Sequence, residues 1–232
     1  MLKKIGHWVH DYLYAARGTA YSFLVRTPPA HYLGHRIKGK VPIILIPGLY
    51  TKWSFLKFFA DSLSHLGHPI YVLDHLGYNS HSIDHSAKLV RELIEEQDLR
   101  SVIILAHSKG GLIGKYVLAF YNSGHRVKKV IAIASPFAGS HAARFFPLAS
   151  FRELHPHSPM IAALKTEEAA NRHIVSIFGV FDNHVWPEES CRLSGARNIQ
   201  VGVHGHHRIL FDHGVRRMIM DEVAAVSSPQ KL

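Results

Sequence analysis

The sequence predicts one α/β domain: a mostly parallel sheet of about six strands with helices on both faces. Short apolar runs alternate with segments of helical periodicity from residue 41 to the end of the 232-residue chain. Such alternation is typical of a parallel sheet whose two faces are covered by helices. A hydrophobic content of 47% is enough to fill a single core in a domain of this length.

Six apolar runs are the predicted strands: 41–47, 69–74, 101–106, 127–134, 173–179 and 198–203. Apolar side chains at helical spacing predict helices over 55–66 and 83–94, with Ser82 as the N-cap of the second. A third helix follows residue 108 and runs to about Tyr121, and residues 218–226 belong to the last helix. Residues 227–232 are expected to be a frayed tail.

Two segments do not follow this alternation. Residues 136–170 form a long insertion between predicted strands, with a short helix near 160–170, and we expect it to cover the site as a cap. Residues 1–40 precede the domain, which spans 41–232, and begin with an amphipathic helix. The apolar stripe of that helix consists of Ile5, Trp8, Val9, Tyr12, Leu13 and Ala16.

Two environments would suit this stripe. Packing against the domain is the one we expect, because a large exposed apolar surface is unfavourable in water. The alternative is peripheral contact with a lipid surface, where Lys3, Lys4 and Arg17 would face anionic headgroups.

The chain carries a formal charge of +10 with its histidines neutral, and its twenty histidines add to this charge in mild acid. Its lysines and arginines are scattered rather than grouped with aromatic residues, so nucleic-acid binding is not expected. The sequence has neither a long apolar run nor the pattern of a secretory signal, which favours a cytoplasmic location. The lone Cys191 excludes an intrachain disulfide.

The most informative segment is Ala106-His107-Ser108-Lys109-Gly110, between the third predicted strand and the third helix. A serine at that position, with small residues two places before and two after, is typical of the nucleophile elbow of α/β-hydrolases. The sharp turn lifts the hydroxyl off the sheet edge and directs the next helix N-terminus at the developing oxyanion. Ser108 is therefore the predicted nucleophile, and Gly110 is a supporting turn glycine.

The acid and the base follow the serine in that order in such proteins. Asp182 comes just after the fifth predicted strand, and His206 comes just after the sixth. Because the carboxyl ends of parallel strands lie at one edge of the sheet, both residues can reach Ser108. We expect His206 to accept the Ser108 proton while Asp182 orients the imidazole and stabilises its charged form.

Neighbouring residues leave alternatives open. His204 and His207 are the other candidate bases, and Asp212 is a reserve acid, although it resembles the start of the last helix. The histidines of the base loop, like the pair His155 and His157, lack the spacing that is diagnostic of a metal site. Neither a metal nor another cofactor is therefore expected.

The oxyanion hole is predicted from the loop after the first strand, Ile46-Pro47-Gly48-Leu49. Gly48 allows a close backbone approach, so the N–H of Leu49 becomes one donor, and the N–H of Lys109 becomes the other.

Over about residues 42–210 the chain resembles the small bacterial lipases and esterases, including the triacylglycerol lipases, of the α/β-hydrolase superfamily. Besides the elbow and the two loops, segments 135–140 (Ser-Pro-Phe-Ala-Gly-Ser) and 154–160 (Leu-His-Pro-His-Ser-Pro-Met) carry the resemblance. The resemblance implies hydrolysis of carboxylic esters without a cofactor. Ala106 replaces the usual first glycine, while Lys109 and Phe137 depart from the family pattern and are expected to alter the pocket or the preferred leaving group.

Other functions fit the same residues. A thioesterase or an amidase would use the same triad, so these reactions are the alternatives within the enzyme class. A hydrolase fold that had lost turnover would act as a binding protein. Such a loss normally removes the serine, the histidine or the oxyanion glycine, and the presence of all three favours an enzyme.

Overall fold

The six predicted strands form one sheet in the computed structural model, which describes residues 2–227, with side chains for 5–226. The strands are β1 (Ile43–Ile46), β2 (Ile70–Val72), β3 (Val102–His107), β4 (Val127–Ile133), β5 (Ile174–Phe181) and β6 (Arg197–His204). Their order across the sheet is β2-β1-β3-β4-β5-β6, and every neighbouring pair is parallel. The predicted fold class is confirmed.

The α-helices are α1 (Leu2–Leu24), α2 (His31–Gly34), α3 (Lys57–His65), α4 (Ile83–Glu96), α5 (Lys109–Phe120), α6 (Ala149–Arg152), α7 (Pro159–Thr166) and α8 (His213–Ser227). The predicted cap of α4 is only half right. Ser82 occupies the N-cap position but its side chain accepts no capping hydrogen bond. The Glu153 carboxylate accepts the N–H of Ile83 instead, at 3.1 Å. The predicted frayed tail lies outside the described residues, apart from the backbone of residue 227.

The core has two parts, one on each face of the sheet, because successive side chains of a strand point in opposite directions. Ile44 and Ile104 pack with α4 and α5 on one face. Ile43 and Leu105 pack with α3 and α8 on the other. All four side chains are completely buried, and each such burial contributes roughly 1.5–3 kcal/mol.

The strand order places a crevice between β1 and β3. After β1 the chain moves outward to β2, returns across β1 to β3, and continues outward through β4, β5 and β6. Loops that leave neighbouring strands in opposite directions open a crevice at the carboxyl ends of those strands, where ligands bind in open α/β sheets. Ser108 lies at this point, directly after β3.

Helix α1 packs on the domain as expected, but the predicted packing face is wrong. Ile5, Val9, Tyr12 and Leu13 are between 48% and 62% exposed. Of the six predicted stripe residues, only Trp8 is half-buried, next to Trp186. The side chains of Lys3 and Lys4 lie outside the described residues. Among the described helices, none has the length and the apolar character needed to cross a membrane.

Small and polar residues form the face of α1 that contacts the domain. Gly18 is buried, and a Cβ there would lie 2.5 Å from the Phe55 ring. The Ser22 hydroxyl lies 2.7 Å from that of Ser54. Asp11 is completely buried and hydrogen-bonded. Small side chains allow the helix axis to approach closely, and hydrogen bonds compensate for the buried polar atoms, so an apolar stripe is not needed for this contact.

Candidate active site

Ser108 occupies a strained turn between β3 and α5. Its backbone has φ +53° and ψ −122°, a conformation that costs a residue with a side chain about 1–3 kcal/mol. The Ser108 N–H donates to the Ile133 carbonyl at 2.8 Å, which fixes the turn against β4. A Cβ on Gly110 would lie 2.3 Å from the Ile46 carbonyl oxygen, so only glycine lets α5 begin this close to β1.

Asp182 and His206 form a buried pair at the same edge of the sheet. The Nδ1–H of His206 donates to Oδ2 of Asp182 at 2.8 Å. The other carboxylate oxygen accepts the N–H groups of His184 and Val185, at 2.7 and 2.8 Å. Since the carboxylate only accepts hydrogen bonds, the proton of the neutral imidazole lies on Nδ1, and Nε2 is left as the basic nitrogen.

The surroundings of this pair set its protonation. Burial raises the pKa of Asp182 to about 6, although the N–H of His184 opposes the rise. Burial, with a smaller effect from His207, lowers the pKa of His206 to about 3. At neutral pH the pair is therefore a carboxylate next to a neutral imidazole, which is the state that can accept a proton.

Further side chains hold the backbone of the base loop, residues 205–208. Nε2–H of His107 donates to the carbonyl of His206 at 3.1 Å, and Oδ1 of Asn183 accepts the N–H of His206 at the same distance. We did not predict either role, although each residue adjoins a predicted one, Ser108 or Asp182. Asp11 was also missed; its contacts with this loop span 196 positions of sequence.

A cavity of about 360 Å³ opens over Ser108 and His206. Its remaining lining residues come from four places: Tyr12 of α1; the β1 loop (Gly48, Leu49, Thr51); the insertion (Pro136, Ser140, Ala142, Ala143, Phe146, Phe151, Leu154); and the elbow, acid and base loops (His107, His184, Val185, His207). Most of these side chains are apolar. The cavity therefore suits a hydrocarbon group with one polar end at the serine.

The predicted oxyanion donors lie beside Ser108. Leu49 lines the cavity, and a Cβ on Gly48 would lie 3.2 Å from the Ser108 Cβ. Lys109 is the first residue of α5, where a backbone N–H has no acceptor within its own helix. Its buried ammonium donates to the carbonyls of Asn79 and His81, away from the cavity.

Phe137, the second departure from the family pattern, is buried in the core on the α5 side of the sheet. Neither it nor Lys109 lines the cavity. The two side chains therefore form no part of the pocket wall, because both point into the protein, and any effect that they have on the pocket is indirect.

The alternative bases and acid have other partners. The His204 ring stacks on His7 at 4.2 Å and does not line the cavity. His207 lines the cavity, but its Nδ1 lies 3.0 Å from Asp11 Oδ2. The Asp212 carboxylate accepts the N–H groups of residues 214 and 215, so it caps α8 as the sequence suggested.

Two overlapping sets of side chains have the donor types that a metal ion requires. They are Asp11, His184 and His207, and Asp182, His184 and His206, each with its donor atoms within 4.8 Å of one another. In both sets the carboxylate already accepts a hydrogen bond from an imidazole Nδ1. An ion would have to replace that bond, so the geometry favours hydrogen-bonded pairs over a metal centre.

Comparisons with known proteins agree with this fold. A family model for the alpha/beta hydrolase fold matches residues 41–154. A Mycoplasma pneumoniae protein provisionally named esterase/lipase 3 is 28% identical over 117 residues, which are 47% of this chain and 42% of that protein. The chain thus spans less than half the length of this curated relative.

Solved structures show the same fold at low identity. Aspergillus fumigatus lipase B superposes with a TM-score of 0.73 at 21% identity, covering 84% of this chain and 55% of the fungal chain. A mature Bacillus licheniformis lipase gives 0.65 at 17% identity, covering 82% and 95%.

The chain has the alpha/beta hydrolase fold, as the parallel sheet and the family model over residues 41–154 show. Its similarity to a provisionally named esterase/lipase and to a lipase of known structure agrees with the resemblance noted in the sequence.

Proposed function

We propose that the protein hydrolyses carboxylic esters through an acyl-enzyme formed on Ser108. The observation that carries this proposal is the shared cavity: Ser108, in its strained turn, faces the same space as His206, which is hydrogen-bonded to the buried Asp182. A nucleophile, a base and an orienting acid within one cavity are the requirements of covalent acyl transfer.

In the proposed reaction, His206 Nε2 takes the proton of the Ser108 hydroxyl while Oγ attacks the ester carbonyl carbon. The negative oxygen of the tetrahedral intermediate accepts hydrogen bonds from the N–H groups of Leu49 and Lys109. When the C–O bond breaks, His206 returns the proton to the leaving alcohol. Water, deprotonated by His206, then attacks the acyl-enzyme and releases the acid and free Ser108.

The lining supports an ester with an apolar acyl group. Phe146, Phe151 and Leu154 of the insertion, together with Val185, provide an apolar wall near the serine. Transfer of a hydrocarbon chain from water to such a wall is favourable by roughly 0.8 kcal/mol of free energy for each CH₂ group.

We further propose that the substrate is taken from a lipid surface. Tyr12 and Phe146 line the cavity and are also exposed, so apolar surface continues from the cavity to the exterior. Exposed Val9 and Leu13 extend it along α1. Contiguous exposed apolar surface at a binding site is typical of contact with lipid or with another protein.

The test of the reaction is hydrolysis of p-nitrophenyl esters of increasing acyl length by wild type, Ser108→Ala and His206→Ala. Both variants are expected to lose several orders of magnitude in kcat with the fold intact, because each lacks one member of the acyl-transfer machinery. His204→Ala, at the last residue of β6, is the matched control and is expected to stay within a few-fold of wild type.

Labelling of Ser108 by a fluorophosphonate distinguishes the competing functions. A labelled protein that hydrolyses thioesters or amides but no ester would replace the proposed substrate class. A protein that is neither labelled nor active would be a binding protein with a hydrolase fold. Turnover by Ser108→Ala at the wild-type rate would refute the acyl-enzyme.

A further inference from the structure

A second aspartate–histidine pair lies beside the first. Asp11, on α1, is completely buried, and its carboxylate accepts three hydrogen bonds from the base loop. Oδ1 accepts the N–H groups of His207 and Arg208, at 2.7 and 2.9 Å, and Oδ2 lies 3.0 Å from Nδ1 of His207. One side chain of the N-terminal helix thus holds the two residues that directly follow His206.

The loop is shaped to receive this carboxylate. Gly205 has φ +126°, and a Cβ there would lie 2.4 Å from Oδ1 of Asp11. Only glycine therefore allows both the turn and the approach of the carboxylate. Asp11 is also the only acidic residue among the first 60 of the chain.

Burial of a charged group needs compensation that simple helix packing does not require. A carboxylate that leaves water without partners is strongly destabilising. Burial alone would raise the pKa of Asp11, but the hydrogen bonds and charges of the base loop outweigh burial and hold this pKa well below its usual range. Asp11 is therefore an anion at neutral pH, hydrogen-bonded to the two residues that follow His206.

We propose that Asp11 is a positioning residue for His206, which makes helix α1 part of the active site. This inference rests on the proposed ester hydrolysis. His107 and Asn183 hold the backbone of His206 itself, and Asp11 holds the next two peptide groups, so the base is fixed on both sides. A base held in one orientation loses less entropy when the transition state forms.

The charge of Asp11 has a second effect. It favours the protonated form of His206, which arises when the serine loses its proton, and so lowers the free energy of that step. The titratable and charged groups that face Asp11 come from the acid and base loops: Asp182, His184, His206, His207 and Arg208.

The test compares Asp11→Asn with wild type on a soluble short-chain ester. The asparagine oxygen can still accept from the backbone of residues 207 and 208, but the charge is gone. We expect kcat to fall roughly 10- to 100-fold, with KM within about twofold. The acid limb of the kcat/KM profile should move to lower pH by about half a unit, because the lost charge no longer favours protonation.

Two further variants separate charge, position and stability. Asp11→Glu keeps the charge but moves the carboxylate, so it is expected to lower kcat while leaving the acid limb at the wild-type pH. His10→Asn, an exposed change at the neighbouring position of α1, is the control and is expected to behave as wild type.

Three outcomes would overturn the inference. The first is a folded Asp11→Asn with wild-type kcat and acid limb. The second is a kcat loss that disappears once it is corrected for the folded fraction. The third applies if Asp11→Asn does not fold: a wild-type kcat in Asp11→Glu would then overturn the inference. A wild-type protein without esterase activity and without fluorophosphonate labelling would instead refute the proposed function, and with it this inference.

Discussion

Two coupled side chains set the protonation state of the candidate site. Asp182 and His206 are both buried, and their shared hydrogen bond couples their titrations, so the pair takes up and releases protons as a unit. The carboxylate and the neutral imidazole coexist only above the pKa of the pair. Below it, the pair already holds the proton that, in the proposed mechanism, it takes from Ser108.

This leads to a prediction about pH. Burial raises the pKa of Asp182 to about 6, so the pair gains its first proton as the pH falls through that value. We expect kcat/KM to be level at neutral pH and to fall below about pH 6, because the protonated pair cannot act as a base. The measurement is a pH profile on an uncharged soluble ester. A profile that stays level down to about pH 4 would contradict the assignment of the pair.

Lys109 offers a second prediction at this scale. Its ammonium, whose pKa burial lowers to about 8, donates to the carbonyls of Asn79 and His81. Lys109→Met leaves those carbonyls without this donor, so we expect the free energy of unfolding to fall by about 1–3 kcal/mol. Its kcat should stay near wild type, because the backbone N–H is retained.

Denaturant unfolding and ester turnover of Lys109→Met provide the two readouts. Lys88→Met, at a half-exposed lysine of α4, is the matched control and should change neither. A Lys109→Met protein as inactive as Ser108→Ala would show instead that the ammonium takes part in the chemistry.

Among the elements, helix α1 differs most from expectation. It contacts the domain through small residues, one buried carboxylate and the rings of His7 and Trp8. The rest of its apolar stripe stays exposed. The helix therefore has two different faces. One packs against the domain and the base loop, and the other is exposed and extends the apolar surface at the cavity mouth.

Two glycines of α1 test this arrangement. Gly18 faces the Phe55 ring, where an added Cβ would lie at 2.5 Å, whereas Gly6 has no neighbour within 4 Å of such an atom. We expect Gly18→Ala to lower the melting temperature, because overpacking costs about 1–3 kcal/mol. Gly6→Ala should raise it slightly, since alanine favours a helix by about 0.5–1 kcal/mol over glycine. Thermal unfolding measures both, and a stabilised Gly18→Ala would mean that α1 does not pack on the domain.

The whole molecule combines a positive charge with an exposed apolar face near its cavity. The formal charge is +10, and Phe145 and Phe146 of the insertion are exposed. The guanidinium of Arg144 lies over the Phe145 ring, 4.8 Å from its centroid. Positive charge and aromatic side chains together favour anionic lipid surfaces.

We therefore expect the inactive Ser108→Ala protein to bind vesicles that contain anionic lipid, and to bind less at high salt because the charges are then screened. Adding Val9→Ser and Leu13→Ser should weaken binding to these vesicles without changing the fold. The matched control adds Leu33→Ser and Leu66→Ser, two exposed leucines outside α1. Vesicle co-sedimentation measures the binding. Equal binding by the Val9/Leu13 variant and the Leu33/Leu66 variant would contradict a role for the α1 face.

Much of the fold and of the candidate site could be predicted from residue order alone. Alternating apolar runs predicted the six strands because strand and helix periodicities are local properties. The elbow was predictable for the same reason, since Gly110 and the residues around Ser108 are adjacent in sequence. Asp182 and His206 followed from their positions after two strands whose ends lie at one edge of the sheet.

Contacts between distant segments were decided only by the tertiary structure. The apolar stripe of α1 was the obvious face to bury, but Asp11, Gly18 and Ser22 are buried instead, because the domain offers hydrogen-bond donors and a close-fitting surface there. No local pattern encodes a carboxylate that pairs with a histidine 196 positions away. Periodicity and turn chemistry determine which elements form, whereas three-dimensional packing decides which face of an element is buried and which side chains become partners.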